Sequence, residues 1–190
     1  TGGPLLAFDA RARQVDLLQV SEFVEAPVKI TGRCDIDAQG RMQENQLSSV
    51  SGSGLLIGSQ VEIPPLATEG VALPANRSGE GKASISAESG ILTIQNFLLK
   101  GSAYDVSSNG KIKLKEPVEK STIECPVGLV FKEPFLITDH RLSGPGADRL
   151  VEALIKTQTK VVFTVTGTVE SPKVQIDAAS VLVPLMEHIQ

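Results

Sequence analysis

The side chains best suited to chemistry in this sequence are two histidines and two cysteines. His140 follows Asp139, and His188 lies close to the end of the sequence. A Ser-His-Asp arrangement needs a histidine within hydrogen-bonding reach of both partners, and we predict instead that both histidines are solvated surface residues. The sequence also contains neither a phosphate-binding glycine loop nor a dinucleotide-binding glycine motif. We therefore expect a protein that is not an enzyme, with no catalytic residue and no cofactor.

The cysteines, Cys34 and Cys125, are too far apart in sequence for a redox pair, and two thiols alone do not make a metal site. Cys34 alternates with Asp35 and Asp37, so on a strand the thiol and the carboxylates point to opposite faces. We expect no metal site. Each cysteine falls on the apolar face of a predicted strand. Two interpretations remain open, namely buried free thiols or a Cys34–Cys125 disulfide in an oxidising compartment.

Charge and composition argue against nucleic acid as a partner. The 190 residues carry a formal net charge of -4, whereas a nucleic-acid interface requires a basic patch. Lys111, Lys113 and Lys115 are spaced by two, which on a strand favours one solvated face over a binding stripe. Tryptophan is absent and there is one tyrosine, so stacking on bases is not expected.

Alternating apolar and polar residues predict a protein built mainly of strands. The strongest pattern lies in residues 122–132, where five apolar residues alternate strictly, and the next strongest in residues 28–37. A turn is predicted at residues 38–40 and an irregular crossing segment at residues 58–78. The other predicted strands are residues 5–13, 46–57, 82–88, 91–100, 104–108 with 111–115, 160–169 and 174–177.

Two segments have helical spacing of apolar residues. Residues 15–24 predict a short helix. Residues 147–157 predict an amphipathic helix, whose apolar stripe consists of Leu150, Val151, Leu154 and Ile155. The predicted fold class is mainly β: a single, highly curved antiparallel sheet, an open half-barrel or trough, with one or two short helices. Residues 1–190 are predicted to form one domain.

Several of these segments share glycine turns followed by alternating apolar residues. They are residues 81–85 (GKASI), 90–94 (GILTI), 96–102 (NFLLKGS), 108–114 (SNGKIKL), 117–123 (PVEKSTI) and 163–174 (FTVTGTVESPKV). Together with residues 53–73, they resemble the type II secretion system protein N (GspN) family over about residues 28–177. The pattern is similar, more loosely, to the AsmA-like periplasmic repeat proteins.

The resemblance implies an accessory, non-catalytic component of the type II secretion machinery in the periplasm of a Gram-negative cell. It implies that the outer-membrane secretin and the inner-membrane platform proteins are partners. It also implies an N-terminal helix that anchors the protein to the inner membrane; this sequence, which begins at Thr1, is expected to be a fragment or mature form without it. Docking by strand addition is the expected mode, with residues 48–54 as the candidate sheet edge.

The looser resemblance implies an alternative function, lipid binding or lipid transfer in an apolar groove. Six apolar residues of two predicted strands would line that groove: Ile123, Leu129, Phe131, Val161, Phe163 and Val165. The opposing interpretation is that the same residues form an ordinary core capped by the helix at 147–157. A groove would leave a larger apolar patch exposed than a monomer normally shows.

Overall fold

The computed structural model of the chain describes residues 4–23, 28–43, 46–67, 71–138, 144 and 146–181. The strands are β1 (Leu5–Asp16), β2 (Thr31–Gln43), β3 (Ser51–Ile63), β4 (Leu66–Ala67), β5 (Val71–Leu73), β6 (Asn76–Glu88), β7 (Ile91–Gly101), β8 (Tyr104–Lys113), β9 (Thr122–Phe131), β10 (Leu136–Ile137), β11 (Lys160–Thr168) and β12 (Pro172–Ile176). The α-helices are α1 (Leu17–Phe23) and α2 (Ala147–Lys156).

Nine of the strands form one antiparallel sheet in the order β1-β2-β3-β6-β7-β8-β9-β11-β12. Neighbours in this sheet follow one another along the chain, except where β4 and β5 or β10 and α2 intervene. Strands β10, β5 and β4 form a second, small sheet. The predicted fold class, mainly β with one large open antiparallel sheet and short helices, is confirmed. The crossing segment at 58–78 is more regular than predicted, since it contains the end of β3, all of β4 and β5, and the start of β6.

One face of the large sheet is apolar, because apolar residues alternate with polar ones in register across the strands. Val161 of β11 lies opposite Leu129 of β9, which in turn lies opposite Val106 of β8. Val106 pairs with Leu99 of β7, so four neighbouring strands place an aliphatic side chain in one row. This is the period-two pattern expected of strands that bury one face.

The main core lies at one end of this apolar face, beneath α2 and the small sheet. Tyr104, Phe131, Val161 and Leu154 of α2 are almost completely buried there. The rings of Tyr104 and Phe131 lie 5.9 Å apart between centroids and are tilted, and Phe135 stacks on Phe131 at 3.7 Å. Aromatic pairs at these distances add to the free energy gained by burial. The helix therefore closes this end of the sheet.

Three strands contain a β-bulge at a residue other than glycine whose backbone adopts the left-handed conformation. Gln14, Gln60 and Asn96 have φ angles of 55°, 52° and 51° and lie where the strand register shifts. Their main-chain groups have specific partners in two cases. The Gln14 N–H donates to the Asp35 carboxylate at 2.8 Å, and the Asn96 N–H donates to the Asn109 side chain at 2.7 Å. Such bulges bend a strand and increase its twist.

The predicted turn at residues 38–40 is wrong, since β2 runs through it. Ala38 lies opposite Ala10, and Gly40 lies opposite Phe8 on β1. A Cβ atom added to Gly40 would come within 2.7 Å of the Phe8 ring. The glycine therefore permits a close approach of the ring to the main chain, which is the other common role of glycine in strands.

The proposed sheet edge at residues 48–54 is also wrong. Residues 47–49 form a single 3-10 turn, and Ser51 to Gly54 belong to β3, which pairs with β2 on one side and β6 on the other. The polar and glycine-rich composition of this segment suits a central strand whose neighbours pack closely. The edges of the large sheet are β1 and β12.

A buried asparagine ties the start of β6 to the start of β8. Asn76 is fully buried, and its Oδ1 accepts hydrogen bonds from the N–H groups of Ala103 and Tyr104 at 3.0 and 3.2 Å. Its Nδ2 donates to the Tyr104 carbonyl at 2.9 Å. Three hydrogen bonds thus satisfy main-chain groups that would otherwise be buried without partners.

We expect Asn76→Ala to lower the free energy of unfolding by about 2–4 kcal/mol, because it leaves buried main-chain groups unpaired. Urea denaturation followed by circular dichroism measures this. The matched control is Asn109→Ala, which removes one hydrogen bond at an exposed site and should cost less than about 1.5 kcal/mol. Equal losses in the two variants would contradict the role assigned to Asn76.

Candidate functional site

The six residues predicted to line an apolar groove divide into two groups. Leu129 (4% exposed), Phe131 (0%), Val161 (0%) and Phe163 (4%) belong to the closed core, together with Leu154 of α2. For these four the groove prediction is wrong and the alternative, a core capped by the helix, is confirmed. The remaining two, Ile123 and Val165, are half-buried. They lie on β9 and β11 as well, but away from the end of these strands that α2 covers.

An open apolar cavity lies elsewhere on the same face of the sheet, between α1 and strands β2, β3, β6 and β7. Its volume is about 350 Å³. Its walls are almost entirely apolar, and the lining residues come from the helix and from four neighbouring strands with the segment before β2. They are Leu17, Val20, Ser21, Val28, Ile30, Cys34, Leu56, Gly58, Val61, Ile63, Gly81, Lys82, Ala83, Phe97 and Leu99. Concave apolar sites of this kind are where small apolar ligands bind.

The roof of the cavity, α1, is held at both ends by polar contacts. The Asp16 carboxylate accepts a hydrogen bond from the Leu18 N–H at 3.0 Å, which satisfies a donor of the first turn. At the other end, the Lys29 ammonium donates to the Ser21 carbonyl at 3.0 Å. Leu17 and Val20 of the helix line the cavity. These contacts, together with the packing of Leu17 against the core, hold the short helix over the sheet.

Two facing glycines allow the side chains at the floor of the cavity to pack close to the main chain of the sheet. Gly58 of β3 and Gly81 of β6 lie opposite each other in the sheet. A Cβ atom on Gly58 would lie 3.0 Å from Val61 Cγ2, and one on Gly81 would lie 2.6 Å from Leu99 Cδ1. Val61 and Leu99 therefore lie flat over the glycines, and the space above them stays open.

The sequence prediction missed this cavity. The sequence patterns predict that Gly58 begins the irregular segment and that Gly81 precedes the strand at 82–88, whereas both glycines lie within strands. The available signal was the position of each glycine in an otherwise alternating run, Leu56-Ile57-Gly58 and Gly81-Lys82-Ala83. A glycine at an inward-facing position of a strand often marks the approach of another group.

The two cysteines are free and buried, as one of the two open interpretations predicted. Cys34 lies on β2 and lines the cavity, whereas Cys125 lies on β9 with four strands between them. At roughly 4.8 Å per strand, the separation is on the order of 24 Å, so the Cys34–Cys125 disulfide prediction is wrong. Burial raises the pKa of both thiols. Both are therefore protonated and weakly nucleophilic at neutral pH.

Within the described ranges, no group of three or more histidine, cysteine, aspartate or glutamate side chains could hold a metal ion. His140 and His188 lie outside the described residues. Lys111 and Lys113 are exposed on the polar face of β8, and Lys111 lies opposite Glu124 of β9. Charges of opposite sign side by side fit the solvated face that the spacing predicted.

The free edge of β1 exposes apolar side chains on both of its faces. Leu5 is 62% exposed, Leu6 44% and Phe8 42%. Strand β1 pairs only with β2, so the main-chain groups along its outer edge have no partner strand among the described residues. Natural edge strands usually carry charges or bulges that discourage further pairing. In β1 the charged residues begin at Asp9 and the bulge lies at Gln14, so residues 5–8 carry neither device.

No family model, no curated protein and no solved structure matches this chain. In the part of the chain that the structure describes, no helix is both long and apolar enough to span a membrane.

Tyr104 has a buried hydroxyl group for which the described structure offers no hydrogen-bond partner. The side chain is 1% exposed, and burial raises the pKa of its hydroxyl to about 12. A buried hydroxyl without a partner has lost its hydration and gained nothing in return, which costs about 1–3 kcal/mol.

We expect Tyr104→Phe to raise the free energy of unfolding by about 1 kcal/mol at neutral pH, because it removes this hydroxyl and keeps the ring. A free tyrosine titrates near pH 10, so the unfolded chain releases the proton first and the native protein loses stability between about pH 10 and 12. That loss should be smaller in the variant. Denaturation at several pH values measures both effects.

Tyr104 is the only tyrosine of a chain without tryptophan. The ultraviolet absorbance of its phenolate therefore reports its titration without interference from other residues. A normal pKa, or a large loss of stability in Tyr104→Phe, would contradict the burial of an unpaired hydroxyl.

Proposed function

We propose that this chain is a non-catalytic accessory component of the type II secretion machinery. It would act in the periplasm of a Gram-negative cell, anchored to the inner membrane, and dock on the secretin and the inner-membrane platform proteins. The resemblance of residues 28–177 to the protein N family supports the assignment to this machinery. The structural observation that supports a docking role is the exposed, apolar first half of β1.

Strand addition is the docking mode that this edge favours. An added strand would pair with the main-chain groups along the outer edge of β1, which have no partner strand among the described residues, and would supply affinity without a pocket. The exposed Leu5, Leu6 and Phe8 side chains flank that edge and would be covered by the partner. The opposite edge, β12, has five residues against twelve in β1 and offers a shorter pairing surface.

We expect Leu5→Lys to weaken binding to the periplasmic domains of the secretin or the platform proteins by about tenfold or more. A lysine at an edge discourages strand pairing, and truncating an interface anchor typically costs more than about 1 kcal/mol. Surface plasmon resonance with the purified periplasmic domains measures the dissociation constant.

The matched control is Leu98→Lys, an exposed leucine on the polar face of the central strand β7. It adds the same charge to the protein and should change the dissociation constant by less than about twofold. Equal weakening by both substitutions would point to a general charge effect and contradict docking at β1. Absence of any binding by the unmodified chain would contradict the proposed function itself.

A second candidate function is the binding of lipid or another apolar molecule, and the cavity beneath α1 favours it. The cavity is open and almost entirely apolar, although a closed core would stabilise the fold better. We expect native mass spectrometry of gently purified protein to show a bound lipid-like molecule that organic extraction removes. A protein that carries no such molecule, and that takes none up from detergent-solubilised envelope lipids, would contradict this candidate.

A further inference from the structure

We propose that the cavity beneath α1 binds a single-chain anionic amphiphile, such as a fatty acid, with the alkyl chain inside and the carboxylate at Lys29. This inference rests on the second candidate function. It adds the number of alkyl chains in the ligand, the sign of the charge on its head group and the residue that binds the head group.

The volume of the cavity fits one alkyl chain. About 350 Å³ lies near the lower limit of the roughly 300–1,000 Å³ that small-molecule sites occupy. A lipid with two chains would need about twice the space of a lipid with one. The floor is formed by Val61 and Leu99, which lie flat over Gly58 and Gly81. Together with Leu56 and Phe97 of the lining, it offers an unbranched chain apolar contact along its length.

The head group is placed by Lys29 at the rim of the cavity. Its ammonium donates to the carbonyl of Ser21, and Ser21 itself lines the cavity. An ammonium group has three donors, so two remain for a carboxylate. No described carboxylate lies within ion-pair distance of Lys29. Among the described residues this charge at the rim has no carboxylate partner, and it is complementary to an anion.

Cys34 can report whether the cavity is occupied, because it is one of the residues that line the cavity. In the Cys125→Ser variant only Cys34 can react with N-ethylmaleimide. We expect dodecanoate, added to protein freed of lipid and kept below its micelle concentration, to slow alkylation of Cys34 by about fivefold or more at saturation. Occupied sites exclude the reagent, and the rate falls in proportion to the free fraction.

Variants in the cavity test the position of the chain. We expect Ala83→Phe, which places a ring in the cavity, to weaken dodecanoate binding about tenfold or more in calorimetry. The matched control is Ala87→Phe, on the same strand and the same face but outside the lining, which should change binding less than about twofold. If Ala83→Phe fails to fold, Val20→Trp fills the cavity from the partly exposed roof and carries the same expectation.

Lys29 is tested by comparing dodecanoate with dodecanol. We expect Lys29→Met to weaken dodecanoate binding about fivefold more than dodecanol binding, as for an ion pair at an exposed site, whereas the loss of the Lys29–Ser21 contact that holds α1 affects both ligands equally. An equal effect on both ligands, or none on dodecanoate, would overturn the head-group assignment.

The outcomes separate this inference from the function on which it rests. A bound two-chain lipid in native mass spectrometry, with no protection of Cys34 by dodecanoate, would overturn the single-chain inference and leave the second candidate standing. Protection of Cys34 that Ala83→Phe abolishes and Ala87→Phe retains would support both. Neither bound lipid nor protection would overturn both.

Discussion

The structure depends on a mismatch between one large apolar face and the few elements available to cover it. The single antiparallel sheet of nine strands has one apolar face, while the helices that pack on that face have seven and ten residues. Helix α2 and the small sheet close the end formed by β7, β8, β9 and β11. Helix α1 covers part of the other half and leaves an open cavity. Because apolar surface in water is unfavourable, any further covering of this face by a ligand or a partner is stabilising.

The two candidate functions use different parts of the molecule. Docking involves the main-chain edge of β1 and the side chains of Leu5 and Phe8, whereas ligand binding involves the space between α1 and the central strands. The chain passes from β1 directly into α1, so the edge strand and the roof of the cavity are consecutive in sequence. The docking residues lie at the start of β1, whereas α1 follows its last residue, so the two candidate sites lie at opposite ends of this strand.

Regular features of the fold could be predicted from the sequence because a strand buried on one face alternates strictly. The five alternating apolar residues of β9 and the stripe of α2 gave the correct elements, since burial of a face is the dominant local signal. Glycine was the main source of error. Gly40 supports the Phe8 ring, and Gly58 and Gly81 lie under the cavity, yet each has the same local appearance as a turn residue. Which role a glycine has depends on a neighbouring strand that is distant in sequence.

The candidate site was harder to predict for a related reason. The apolar side chains of β9 and β11 were correctly assigned to one face, but alternation does not say which part of that face a helix covers. The four residues at the α2 end are closed off, and the cavity lies beneath the shorter α1, whose own pattern is weak. Likewise Cys34 and Cys125 share a face, and only the order of the strands shows that they are too far apart to bond.

The residues with left-handed backbone conformation, Gln14, Gln60 and Asn96, help to fix the register between neighbouring strands. A shift of one strand by a single residue would turn its apolar side chains to the wet face. It would also separate the Gln14 N–H from the Asp35 carboxylate and the Asn96 N–H from Asn109, each of which meets its acceptor at one alignment only. Slippage is thus penalised twice, by side-chain exposure and by lost polar contacts, and a glycine-rich sheet that would otherwise tolerate several alignments keeps a single one.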